Sequence, residues 1–179
     1  MADKFVIFDR DGTLIDHVHH LVDLNQVRIK SDAIEALNSL KNFGFKFGVI
    51  TNQSVIGRGL VSQNQVKEIN SCILNFFLNQ NIVFEFFLMC PHAPDRNCPC
   101  RKPNIALGKK VISKFKLLPE ENYFVGDQET DIEFSKNLGF VPILIDSNYK
   151  NNKIAAYTAI SLLDAVDWII NDSIRKRFK

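Results

Sequence analysis

Asp9 and Asp11 stand two residues apart directly after the apolar run Lys4-Phe5-Val6-Ile7-Phe8, so an extended chain aims both carboxylates to one side. Gly12 follows them and can take the backbone geometry of a sharp turn beneath a ligand. Asp127 and Asp131 lie one helical turn apart, just after the apolar segment Tyr123-Phe124-Val125-Gly126. Acids gathered in this way repel one another unless a cation sits among them. Oxygen ligands select a hard ion, and Mg²⁺ suits a site that also receives phosphate. Asp131 alone would serve equally well as a helix cap. Asp9, Asp11 and Asp127 together are poorly explained as caps or turn formers, because each follows an apolar strand.

A second cluster has different chemistry. Cys90-x-His92-x₅-Cys98-x-Cys100 supplies three thiolates and one imidazole, a donor set suited to tetrahedral Zn²⁺. Four protein ligands leave no open position for a catalytic water, so this zinc is expected to be structural. Pro91, Pro94, Asp95, Arg96, Asn97 and Pro99 make the segment a poor piece of core, which argues against three unrelated buried thiols. The ligand loop, residues 90–103, ends on Arg101-Lys102-Pro103. Cys72 lies on an apolar helical stripe and reads as a small buried hydrophobe.

These groups must be carried by regular elements. Strands are expected at Lys4–Phe8, Phe45–Ile50 (closed by Thr51-Asn52-Gln53), Val83–Met89, Tyr123–Asp127 and Val141–Ile145. Between them, the spacing predicts a helix from Ser31 with Ala33, Ala36, Leu37 and Leu40 on one face and Gly44 as its stop. A second opens on the capping box Ser62-x-x-Gln65 and carries Ile69, Cys72, Ile73 and Phe76. Others are expected over Ile105–Phe115, from Asp127 to Leu138, and from Ser161 with Leu162, Ala165, Val166 and Ile169 inward. Alternating strands and helices imply an α/β domain with a mainly parallel sheet. In such sheets ligands bind beyond the carboxyl ends of the strands. Asp9/Asp11, Thr51-Asn52 and Asp127 mark three of those ends. Asn148–Lys153 reads as a surface loop and Arg175–Lys179 as a solvated, frayed basic terminus.

The 179 residues fit one domain, 1–179, large enough to fold without disulfides. Lys plus Arg number 22 against 20 Asp plus Glu, a balance too even to direct the chain to nucleic acid or a membrane surface. Met1 to Lys4 runs straight into the first strand without a signal-peptide core, and no window reaches transmembrane length. The expected compartment is the cytoplasm, and the expected state a monomer.

With these motifs in order, the sequence resembles the haloacid dehalogenase superfamily of phosphotransferases. Asp9-Arg10-Asp11-Gly12-Thr13-Leu14 is similar to its first motif, Thr51 to its second, Lys102 to its third and Gly126-Asp127 through Asp131 to its fourth. The resemblance implies a three-layer Rossmann-like fold without a large cap domain. It implies Asp9 as nucleophile and Asp11 as general acid and base, with Mg²⁺ held by the carboxylates of Asp9 and Asp127 and the backbone carbonyl of Asp11. Thr51 and Lys102 would grip the phosphoryl oxygens, with Asn52 and Arg101 beside them at the substrate. The paired motifs CxH…CxC and CRKP resemble a branch of small phosphatases acting on heptose bisphosphate or histidinol phosphate.

Two details divide that branch. Thr51-Asn52-Gln53-Ser54-Val55-Ile56-Gly57-Arg58-Gly59 is similar to the loop of the heptose-bisphosphate enzymes, where Arg58 would hold a second phosphate bidentately. The short spacing from His92 to Cys98 resembles the histidinol-phosphate type. Arg58 carries more weight, so D-glycero-D-manno-heptose 1,7-bisphosphate, an intermediate toward surface polysaccharide, is the expected substrate. Histidinol phosphate is the alternative, ahead of a polynucleotide 3′-phosphate or a non-catalytic role in binding zinc and sugar phosphate. Val55 stands where such loops carry glycine, and Gln128 where a cation is common. Asp16–Asp23, with His17, His19 and His20, is expected as a solvated flap over the site.

Overall fold

The computed structural model describes residues 3–148 and 154–178. The strands are β1 (Phe5–Phe8), β2 (Lys46–Asn52), β3 (Phe84–Cys90), β4 (Tyr123–Gly126), β5 (Val141–Ile145) and β6 (Tyr157–Ala159). The helices are α1 (Ala33–Asn42), α2 (Ser54–Gly57), α3 (Gln63–Asn79), α4 (Ala106–Phe115), α5 (Glu129–Leu138) and α6 (Leu162–Arg177). All six strands run parallel in one sheet of order β3-β2-β1-β4-β5-β6.

The pleat of β1 sorts its side chains between two cores. Val6 and Phe8 face one that takes in Ala36 and Leu40 of α1, Ile73 and Phe77 of α3, and Val166 and Ile169 of α6. Phe5 and Ile7 face the other, with Leu107 and Val111 of α4 and Phe134 and Leu138 of α5. Because both faces are covered, β1 is fully buried throughout, as parallel strands require. The result is three layers, helix on sheet on helix. Among the described residues no helical or sheet domain is inserted between β1 and α1. None of the described helices is long and apolar enough to cross a membrane.

Several local expectations change. Helix α1 begins at Ala33 with Asp32 in the capping position, not Ser31, and Asp32 makes no cap bond within its own helix. Its Oδ2 instead accepts from the Leu163 N–H of α6, a tertiary bond that local pattern does not reveal. The inward stripe of α3 runs through Val66, Ile69, Ile73 and Phe77, which turns Cys72 out to solvent and leaves Phe76 exposed. Helix α6 continues to Arg177, so the basic terminus is not frayed up to that point. Lys176 pairs with Asp172 at 2.9 Å, and the Arg177 guanidinium sits 4.8 Å from the Phe43 ring centre. Its cations complement the negative end of the helix dipole. Strand β6 and the single turn of α2 are too short to leave a periodic signal. The polar segment Asn148–Lys153 falls outside the described residues after Asn148.

Candidate active site

Because β1 lies between β2 and β4, the residues that follow these three strands converge at one edge of the sheet. This is where the strand order reverses, the ligand-binding crevice of open α/β sheets. Asp9 continues β1, its N–H donating to the Val125 carbonyl at 2.8 Å. Asp127 continues β4, and Asp131 lies in the first turn of α5. A carboxylate oxygen from each of Asp9, Asp127 and Asp131 falls within 4.8 Å of the others. Gly12, at φ +77°, passes so close beneath Asp127 that a Cβ there would overlap its carboxylate. The glycine is needed for the turn and for the approach alike.

Lys102 reaches in from the cysteine-histidine loop and is 2% exposed. Its ammonium pairs with Asp9 Oδ1 at 2.5 Å and Asp131 Oδ1 at 2.6 Å, and donates to the Ile50 carbonyl at 2.8 Å. Those contacts use all three N–H groups of a lysine. Asn52 fixes the same residue from β2: its Oδ1 accepts from Lys102 N–H and its Nδ2 donates to the Lys102 carbonyl.

One buried ammonium among two buried carboxylates and a half-buried third leaves an excess of negative charge. Burial raises the Asp9 carboxyl to about 6; Lys102 pulls it down, while Asp131 and Asp11 push it up. Burial also raises Asp127 and Asp131. Asp127 Oδ1 is buried with no hydrogen-bond partner. An orphaned carboxylate oxygen amid crowded hard donors fits a divalent cation such as Mg²⁺. A carboxyl whose folded pKa is raised stabilises the fold below its unfolded pKa, and that stability is lost as pH rises through about 6. A bound cation offsets this loss. Mg²⁺ should therefore raise the thermal midpoint more at pH 7.5 than at pH 5.0, and differential scanning fluorimetry at both values checks it. Equal gains at the two pH values would place the ion elsewhere.

Asp11 is held apart from this cluster. Its carboxylate accepts from Arg10 Nε at 3.1 Å, Arg10 Nη2 at 2.9 Å and Gln53 Nε2 at 2.8 Å. Gln53 Nε2 also donates to Thr51 Oγ1 at 3.0 Å, and Arg10 Nη1 donates to Asn70 Oδ1 at 2.7 Å. Arg10, Gln53 and Asn70 carry no expected role at the site, whereas Asp131, expected beside Asp127 in the acid cluster, takes its place there and pairs with Lys102. A cavity of about 400 Å³ opens over Asp9, Asp11, Asp127 and Lys102, and Asn52, Arg58 and Arg101 also line it. Thr51 is buried and is not among the lining residues. His17, His19 and His20 form part of the wall, the rings of the last two 3.9 Å apart. Gln128 Nε2 donates to Asp127 Oδ2 at 2.8 Å, a neutral partner in the first turn of the site.

The sulfur cluster is gathered by the loop that follows β3. Cys90 Sγ is 3.5 Å from Cys98 Sγ and 3.3 Å from Cys100 Sγ, and Cys98 Sγ to Cys100 Sγ is 3.6 Å. His92 Nδ1 lies 3.5 Å from Cys90 Sγ and 3.3 Å from Cys100 Sγ. A tetrahedron of zinc–sulfur bonds of about 2.3 Å has edges of roughly 3.5–3.8 Å, so the quartet needs to open by only a few tenths of an ångström. The four donors thus fit a tetrahedral ion. The backbone N–H of Gln53 donates to the Cys90 carbonyl at 2.8 Å, and a Cβ on Gly57 would overlap the backbone of Ala93. Helix α2, which leads into Arg58, is seated directly on this loop.

The sequence profile of the family described as polynucleotide kinase 3 phosphatase matches residues 4–156. Among curated relatives, the histidine biosynthesis bifunctional protein HisB of Buchnera aphidicola is 38% identical over 146 residues. That match covers 80% of this chain and 41% of the relative, so the chain spans about two fifths of the length of such relatives. Among solved structures, the D,D-heptose 1,7-bisphosphate phosphatase of B. bronchiseptica, complexed with magnesium and phosphate, superposes with a TM-score of 0.85 at 21% identity. The match covers 94% of this chain and 99% of that one. The corresponding protein of Burkholderia thailandensis gives 0.65 at 20% identity, covering 93% and 99%. At these identities the structural matches establish a shared fold.

Proposed function

This chain belongs to the polynucleotide kinase 3 phosphatase family within the haloacid dehalogenase superfamily, and from that premise we propose that it hydrolyses the phosphate ester of a small metabolite through an aspartyl-phosphate on Asp9. A carboxylate oxygen of Asp9 attacks phosphorus while the ester P–O bond breaks, and Asp11 delivers a proton to the departing oxygen. Water then attacks the phosphorus, Asp11 takes its proton, and the Asp9–phosphorus bond breaks to release inorganic phosphate. Mg²⁺, held by Asp9, Asp127 and the backbone carbonyl of Asp11, would neutralise the charge gathered between nucleophile and phosphate. Lys102 exchanges one of its three present contacts for a phosphoryl oxygen, with Asn52 keeping it in place and Arg101 at the rim. Thr51 joins it once its hydroxyl, now bonded to Gln53, turns toward the phosphate. Zn²⁺ in the cysteine-histidine loop is structural.

The substrate we place first is D-glycero-D-manno-heptose 1,7-bisphosphate, losing its 7-phosphate. The observation behind it is Arg58, an exposed cation lining the same cavity as Asp9 and Lys102. A second reading, histidinol phosphate, draws on the 38% identity to a histidine biosynthesis protein and on the short His92–Cys98 spacing. The test compares kcat/KM, with Mg²⁺, for both heptose bisphosphate anomers, histidinol phosphate and a 3′-phosphorylated oligonucleotide. One heptose anomer should lead, and Arg58→Ala should raise its KM by about 10- to 100-fold, the worth of a charge-assisted bidentate contact. A lead for histidinol phosphate that Arg58→Ala leaves untouched would establish the second reading. A lead for the oligonucleotide would overturn both.

A further inference from the structure

We propose that Asn70, Arg10 and Gln53 form a relay that positions Asp11 for proton transfer, with Asn70 acting from outside the cavity; this rests on the phosphatase reading above. Arg10 is 1% exposed, although it stands between two residues that face the substrate. Its guanidinium lies side-on to Asp11, Nε and Nη2 each meeting a different carboxylate oxygen, and Nη2 also donates to Gln53 Oε1 at 2.9 Å. Gln53 returns the contact from its amide end to Asp11 Oδ2. The carboxylate plane is thereby fixed from two sides.

The hydrogen-bond count singles out one oxygen. Oδ2 accepts from Arg10 and from Gln53, which fills both of its lone pairs, whereas Oδ1 accepts from Arg10 alone. The acceptor position left over is on Oδ1, which makes it the oxygen that handles the proton.

Asn70 is the outlying member. It sits on the inward stripe of α3, among Val66, Ile69, Ile73 and Phe77, and does not line the cavity. A buried amide on an otherwise apolar stripe costs stability unless its groups are bonded. Its Oδ1 takes Arg10 Nη1 at 2.7 Å, and its Nδ2 meets only the Met89 sulfur at 3.7 Å. The strong contact is therefore the one toward Asp11. An apolar core would be served better by a leucine here; the asparagine fixes the direction of the Arg10 fork.

The test uses the 179-residue chain with two substrates, an alkyl phosphate whose leaving oxygen needs a proton and p-nitrophenyl phosphate, whose leaving group does not. Asn70→Ala should lower kcat/KM for the alkyl ester by about 10- to 100-fold, part of the factor general acid catalysis supplies. The aryl ester should change less than about threefold, as a poor Brønsted dependence requires. Asn70→Asp, which keeps the acceptor, should recover most of the loss. In the Asp11→Asn background, Asn70→Ala should have no further effect on the alkyl ester. Equal losses on both esters, or the same fold-loss with and without Asp11, would overturn the relay and leave Asn70 a packing residue. Should Asn70→Ala unfold at the assay temperature, Gln53→Met carries the same cycle. Wild-type enzyme inert toward both esters would instead defeat the phosphatase reading itself.

Discussion

Asp9→Asn should lower kcat by at least about 10⁴-fold, the scale on which losing a nucleophile acts, while the metal-free variant melts at a higher temperature than the wild type at pH 7.5. The two effects share a cause. Asp9 is 6% exposed and lies with Asp127 and Asp131 around one lysine, so its charge is held against both burial and repulsion. Asparagine keeps the shape and an acceptor for Lys102, which retains its pair with Asp131 at 2.6 Å. It removes one negative charge from a cluster carrying two in excess. Such an exchange of stability for activity is expected where a reactive group is kept in an unfavourable place. Phosphate release with Mg²⁺ and a melting curve in Mg²⁺-free, chelator-free buffer check both halves. Undiminished turnover would remove Asp9 as nucleophile; a lower midpoint would show that its ion pair with Lys102 outweighs the repulsion.

Loss of the tetrahedral ion should rank next. Cys98→Ser, or extraction of zinc by a chelator, should cost about 4 kcal/mol, at the upper end of single-site effects, where loss of a metal belongs. For a chain of this size that lowers the midpoint by roughly 8–16 °C. Activity should fall with it, because Lys102 follows Cys100 by two residues and its amide is pinned to Asn52 at 3.0 Å. In the metal-free quartet, burial pushes the Cys90 thiol up to about 12. Burial also opposes ionisation of Cys98, yet hydrogen bonds from Cys90 and Cys100 outweigh it and bring that thiol down to about 7. Zinc uptake must then expel protons, and its affinity should weaken as the solution is acidified. Metal content, melting and turnover measured on one preparation decide the matter. Full kcat in a demonstrably zinc-free chain would uncouple the loop from the reaction.

What the sequence makes legible here is whatever is written locally. Apolar runs ending in Asp9 and Asp127 reveal both the strands and the edge at which they stop, and the spacing of Cys90, His92, Cys98 and Cys100 anticipates their clustering. Asp131 is legible as a member of the acid cluster and as a helix cap, and it is both, accepting from the Gln128 N–H at 3.1 Å. Its pairing with Lys102 is not legible, because it joins residues from separate elements. Arg10 stands inside the first motif with no role assigned to it, and Asn70 interrupts the apolar pattern of α3 without any local signal of a partner. Their burial follows from a bond across 60 residues, which periodicity does not encode. Cys72 illustrates the reverse error: Ile69 and Ile73 fit two neighbouring stripes, and only packing chooses the one through Val66 and Phe77.

The seat of Gly57 on the Ala93 backbone bears on how such a protein can be re-engineered or diversify. The segment leading to Arg58 and the metal loop share a surface with no room for even one methyl group, so neither can be transplanted from a relative alone. A longer metal loop would have to arrive with its own version of residues 54–59. Chimaeras exchanging both segments together should fold and transfer selectivity as a unit, whereas single exchanges collide at Gly57.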